Sequence, residues 1–280
     1  MTLSNPDTTT KPGAVTSSSS SRARTWYRPV VSPEHGVYVI LLVSFITGAA
    51  AAQRWTFLTT LALVCAFAGF QAEHPLVLQI KQRRSWKPRL LLWGSLYAGL
   101  SLGAAMYLYL QVPSLLWIYL GAIAALIIDS IAVFYRRQKT VFNEILTFAA
   151  VCLAVPFTYV ATTGTWTISL FGLWCLNTLF FSSTIFTVKL RKPKTASLIP
   201  AMIYHAVASL IILGLWWIGW LASLSAITFT IVLAKFSLIL WQRDWYKTTQ
   251  IKNVAFLETI TAILFLATTA ISLLPAHLAQ

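Results

Sequence analysis

Nine apolar runs follow one another from Val37 to Leu274 with only short polar breaks between them, and this succession dictates the fold class. They occupy residues 37–52, 55–74, 90–110, 115–135, 145–161, 166–188, 199–217, 221–240 and 254–274. A helix needs roughly 17–25 apolar residues to cross a bilayer, which these runs match. A membrane barrel would show alternating segments of about ten residues, and none is visible. Charged residues make up 10% of the chain, against roughly 25% in a soluble domain. The mean hydropathy is +0.72. The sequence therefore predicts an all-α, polytopic membrane helical bundle of about nine transmembrane helices.

The net charge of +14 does not point to nucleic acid, because the basic residues sit in the short connections between apolar runs. There, topology and anionic lipid headgroups account for them. Counted by connection, 19 of the 21 Lys and Arg residues fall on one side of the membrane. The positive-inside rule then predicts a cytoplasmic N-terminus and, after nine crossings, a C-terminus outside, and the plasma membrane is the expected location. Residues 1–31 read as a disordered cytoplasmic tail, with a serine run at Ser17–Ser21, and 32–280 as the transmembrane domain. The tail lacks the apolar core of a signal peptide, although a transit peptide shares its composition. Cys65, Cys152 and Cys175 lie inside apolar runs, share no metal-like spacing and read as small buried apolar residues.

Ionisable groups within or at the ends of spans are costly to place, so each is a functional candidate. Glu34 and His35 stand at the mouth of the first span, in Ser32-Pro33-Glu34-His35-Gly36-Val37-Tyr38. Glu73 and His74 end the second, and Asp129 lies in the inner part of the fourth. Glu144 opens the fifth and Lys189 closes the sixth. His205 lies in the first turns of the seventh span, Lys235 in the inner half of the eighth, and Glu258 near the start of the ninth. All belong to the half predicted to be cytoplasmic, which suggests a polar pocket opening to that side.

Structural roles compete with this reading. Glu34, Glu144 and Glu258 can each stabilise a helix start, and His74 can simply mark the end of a span before Pro75. Lys189 suits the interface, and Lys235 can snorkel or pair with Asp129 or Glu258. Asp129 and His205 have no such simple alternative. No nucleophile elbow, phosphate loop, dinucleotide fingerprint or zinc pair is present. No cofactor and no metal site is expected.

Pro33-Glu34-His35-Gly36-Val37-Tyr38 resembles the Pro-x-His-Gly-x-aromatic opening of the YwiC-like bacterial membrane proteins. The likeness continues at Lys189-Leu190-Arg191 with Tyr204-His205, and near Lys247 to Glu258. It implies a multi-spanning membrane protein. More distantly, Asn143-Glu144-Ile145 through Phe157-Thr158-Tyr159 to Thr163-Gly164 resembles the fifth-span region of UbiA-type intramembrane prenyltransferases. That resemblance implies nine spans, a cytoplasm-facing pocket and an isoprenoid or other lipid ligand. Those enzymes hold magnesium against an isoprenyl diphosphate with two aspartate-rich motifs, after spans two and six. This chain has Gln71, Glu73 and His74 at the first place and Phe186 to Lys192, without an acid, at the second. Clustered carboxylates for a magnesium–diphosphate bridge are missing.

Three functions follow as expectations. The first is a membrane protein binding or modifying a lipid or isoprenoid from the cytoplasmic side. The alternatives are a transporter or permease, and a non-catalytic subunit of a membrane complex. Membrane lipids are the expected surroundings and nucleic acid is not an expected partner.

Overall fold

In hydrocarbon every backbone N–H and C=O must find its partner within the protein, and the helix supplies those partners locally. The computed structural model describes residues 28–82, 85–192 and 197–275. Residues 1–27, which hold most of the predicted tail, lie outside the described residues. Among the described residues nine segments are long and apolar enough to span a membrane.

The spans are α1 (His35–Ala52), α2 (Phe57–Lys81), α3 (Pro88–Gln111) and α4 (Leu116–Phe134), the last preceded by a short 3-10 turn at Pro113–Leu115. The fifth span is split into α5 (Val141–Cys152) and α6 (Ala154–Thr163), and the sixth is α7 (Ile168–Lys189). The seventh is α8 (Ile199–Trp217). The eighth is split into α9 (Ser223–Ile227) and α10 (Thr230–Trp241). A short helix, α11 (Arg243–Thr248), leads to the ninth span, α12 (Ile251–Ser272). Up-and-down succession gathers the basic connections at one end, called the basic end below; the opposite end is the far end.

Local chemistry sets the helix limits. Thr56 opens α2 with a capping box closed by Thr59. Thr140 accepts from the Asn143 backbone at the start of α5. Gln53 and Gly164, with φ of 54° and 77°, end α1 and α6 in the left-handed conformation. Pro156 explains the split fifth span: it has no N–H for the Cys152 carbonyl, and α5 ends at Cys152. The second span differs from the sequence reading. His74-Pro75 does not end it, because α2 continues through Pro75 to Lys81. Pro75 is buried and packs beside Gly94 of α3, and neighbouring helices let a membrane helix carry such a proline.

The sixth span is the most enclosed, with 61% of its apolar window buried, against 17% for the third and fourth. Spans one, five and six therefore make the centre, and α3 and α4 face outward. α1 packs against α6 and α12, α5 against α7, and α2 along α3. Two glycines permit the closest approaches. A Cβ on Gly48 would stand 2.3 Å from the Val155 carbonyl oxygen, and one on Gly172 2.2 Å from that of Trp220. Polar seams tie the centre: Thr59 to Thr162 at 2.7 Å, and the Ser44 hydroxyl to Asn177 Oδ1 at 3.5 Å.

Candidate functional site

The opening segment is fixed by residues other than its acid and imidazole. The Ser32 backbone N–H donates to Gln71 Oε1 (3.1 Å), Gln71 Nε2 to the Tyr38 oxygen (2.6 Å), and the Tyr38 hydroxyl to the Ser32 carbonyl (3.2 Å). The Tyr38 ring stands edge-on to Phe70 at 4.9 Å. This closed loop of bonds anchors the mouth of α1 to α2. It leaves Glu34 and His35 exposed. Glu34 occupies the N-cap position of α1, but its side chain makes no capping hydrogen bond.

Sequence reasoning missed Ser32, Tyr38 and Gln71 as the anchoring set. The available signal was Gln71 itself, an uncharged polar residue one turn before Pro75 within the second apolar run.

The ten candidates are distributed over separate sets rather than gathered around one cavity. Glu73, half-buried on α2, lies within electrostatic reach of Asp129 on α4 and Glu34 at the mouth of α1. Asp129 Oδ1 accepts from Asn143 Nδ2 at 2.7 Å. His74 is half-buried beside Glu73. The result is a like-charged carboxyl group at the basic end of spans one, two and four. Glu144 and Lys189 form a second set, an ion pair joining α5 to α7 with side chains 30% and 21% exposed.

The third set joins spans six to nine. Lys235, with no side-chain exposure, donates to Glu258 Oε2 at 2.9 Å and to the Ser183 hydroxyl at 3.1 Å. Thr184 donates to the same carboxylate oxygen at 2.7 Å. Along α10, Lys235 lies six residues before Trp241, about 9 Å at the helical rise. It is thus held well below the basic end, by a partner and not by snorkelling.

His205 is buried, stacked on Phe236 with ring centroids 3.9 Å apart, and its Nδ1 meets the Ala201 carbonyl at 2.7 Å. Its Nε2 and Glu258 Oε1 are buried and make no hydrogen bond among the described residues. Tyr246 of α11 covers this set from the basic end. Burial, reinforced by the nearby Glu258 carboxylate, pushes its phenol up to about 12. Arg191 donates to the Tyr246 and Thr249 carbonyls at 2.5 Å each, closing the C-terminus of α11.

Among the described residues no group of three or more His, Cys, Asp or Glu side chains is placed to hold a metal ion. An apolar groove of about 410 Å³ runs between α2 and α3, lined by Phe57, Leu61, Gly99 and Tyr107 among others. It lies at the far end, away from every candidate.

The Ser32–Tyr38 mouth and the carboxyl set both fall inside a recognised family segment. Residues 31–159 match the YwiC-like protein family. The YwiC-like region takes in the first four spans and the fifth as far as Tyr159. It ends before Lys189, Tyr204, His205 and Glu258, so the likeness across spans six to nine rests on the residues alone. No curated protein and no solved structure matches the chain, and the UbiA-type likeness also rests on the residues alone.

Proposed function

We propose that this integral membrane protein binds a lipid or isoprenoid at its basic end, taken as cytoplasmic by the distribution of its Lys and Arg residues. The N-terminus then lies in the cytoplasm and the C-terminus outside. One observation carries the reading: the bond loop of Ser32, Gln71 and Tyr38 holds the start of α1 so that Glu34 lies within electrostatic reach of Glu73, with His35 exposed next to it. Fixing exposed ionisable groups at that depth suits a polar head, while the acyl or prenyl chain runs along the apolar faces of α3 and α4. The ligand set is the acidic one, not all ten candidates. Three carboxyls close together repel a diphosphate, so the head that fits is neutral or cationic.

The test is a thermal-shift series on the purified protein with prenyl alcohols, quinones, amine-headed lipids and prenyl diphosphates. A shift for neutral or amine heads that is lost in Glu34→Gln and His35→Ala supports the proposal. Equal shifts in those variants, or none with any lipid, overturn it.

Transport is the second reading, favoured by the breaks in spans five and eight. Transporters use interrupted helices to free backbone groups for a substrate. Protein-dependent solute uptake into vesicles is the measurement that would promote it.

A further inference from the structure

The buried faces of spans eight and nine carry an unexplained order of polar and apolar residues. Near the far end, the Ser225 and Ser272 hydroxyls meet at 2.8 Å, and Thr269 donates to the Thr228 hydroxyl at 3.4 Å. None of these four is more than 5% exposed. Toward the basic end, the same two faces present Lys235 and Glu258, met by Ser183 and Thr184 of α7. Between the polar ends lie Val232, Ala262, Phe180 and Phe265, all buried. The Phe180 and Phe265 rings stack at 4.0 Å and 19°, and Lys235 Nζ stands 5.6 Å from the Phe180 centroid.

Lipid-facing packing needs neither the buried charges nor the buried hydroxyls, and each charge is expensive there. The eighth span also breaks within this seam. Around Thr228 and Phe229, backbone bonds run from Thr228 to Ser225 and from Val232 to Phe229, in tightened turns. The seam thus has a polar stretch at each end and an aromatic layer between. From Lys235 to Thr228 is seven residues, about 10 Å along the helix. That gap is too long for a direct proton hop and short enough for a few waters.

We propose that the seam between α7, α10 and α12 is a proton pathway across the membrane, with Glu258 as the proton-carrying group and the Phe180–Phe265 stack as its gate. The occupant follows from the lining. A fixed ammonium repels metal cations and a fixed carboxylate repels anions, whereas a proton can reside on the carboxylate itself.

A hydronium at the basic end gives up a proton and becomes water as an O–H bond forms on Glu258, neutralising it and leaving Lys235 without its counter-ion. When the rings part, water admitted to the gap takes that proton. The Thr228–Thr269 and Ser225–Ser272 hydroxyls then relay it, each accepting one proton and releasing another, the last to water at the far end, which becomes hydronium. Glu258 returns to the carboxylate and pairs again with Lys235. The groups facing Glu258 are Lys235 of α10, Thr184 of α7 and Tyr246 of α11. His205 of α8 faces Lys235, and Arg191 lies against the Tyr246 ring. The proposal stands apart from the lipid reading, since it uses none of its residues.

The experiment places the purified full chain in liposomes holding the pH-sensitive dye pyranine. A potassium gradient with valinomycin imposes an inside-negative potential. The wild type should acidify the lumen faster than protein-free liposomes, and Glu258→Gln should lower that rate about tenfold. Phe265→Ala should raise it. Wild-type flux equal to that of protein-free liposomes overturns the proposal, as does full flux in Glu258→Gln. If Glu258→Gln does not fold, Phe265→Ala and the Ser225→Ala/Ser272→Ala pair decide. Unchanged flux in both overturns the proposal, while faster flux in the first or slower flux in the second supports it.

Discussion

In the YwiC-like spans, Glu73 lies within electrostatic reach of both Glu34 and Asp129 at the basic end, each of the three exposed or half-buried. In spans six to nine, Glu258 is matched by Lys235, whose side chain is wholly shut in. Like charges can share a site only where water or headgroups screen them. A charge held about 9 Å down a helix must instead bring its own partner. Depth, more than residue type, decides which arrangement each half can adopt.

The largest test of that contrast is Lys235→Ala. It strands a carboxylate whose Oε1 already makes no hydrogen bond among the described residues. Breaking a buried pair in this way costs about 3–5 kcal/mol. Unfolding of the purified protein in mixed detergent should show that loss, and Lys235→Met with Glu258→Met should recover most of it. A loss below about 1 kcal/mol would place the pair among surface bridges and dissolve the comparison.

Next comes the central packing within the YwiC-like spans. In Gly48→Ala the added methyl would meet the Val155 carbonyl, so α1 and α6 must separate. Overpacking of this kind costs about 1–3 kcal/mol. Gly99 on the outward face of α3 has nothing within 4 Å of its Cβ position. Gly99→Ala should therefore leave stability unchanged or slightly raised in the same assay. Equal losses at both positions would mean that α1 and α6 do not touch at Gly48.

Gln71→Leu should have a smaller effect. It removes the acceptor of the Ser32 N–H and a donor to Tyr38, while the Tyr38–Ser32 bond survives. The expected cost is about 1 kcal/mol. Amide hydrogen exchange should quicken at the start of α1, with spans six to nine unaffected.

These contrasts also separate what the sequence carried from what it did not. Apolar length and the rhythm of basic connections give the nine spans, because both express the thickness and charge of the bilayer. Pro75 and Pro156 mark the limit of that reading. One continues a helix and the other breaks one, and the difference lies in what packs beside them. Lys235 was equally compatible with snorkelling, with Asp129 and with Glu258, since partners on distant spans have no signature in one chain's pattern. Gln71 was passed over because a neutral amide draws less notice than Glu73 two residues on, yet the amide holds the mouth in place. The hydroxyls of Ser225, Thr228, Thr269 and Ser272 are unremarkable in a membrane helix until two spans bring them face to face.

The smallest expected effect on stability is also the one that tests the acidic mouth. Glu34 is exposed, makes no capping bond and feels the Glu73 carboxylate. Glu34→Gln therefore removes repulsion and no contact, and stability should move by no more than about 0.5 kcal/mol. His35→Ala, equally exposed, should behave alike. If either residue serves a lipid head, the thermal shift with that lipid falls while the unliganded protein melts as before. A Glu34→Gln loss as large as that of Lys235→Ala would instead make the mouth a structural joint, with its charge buried in use if not in position.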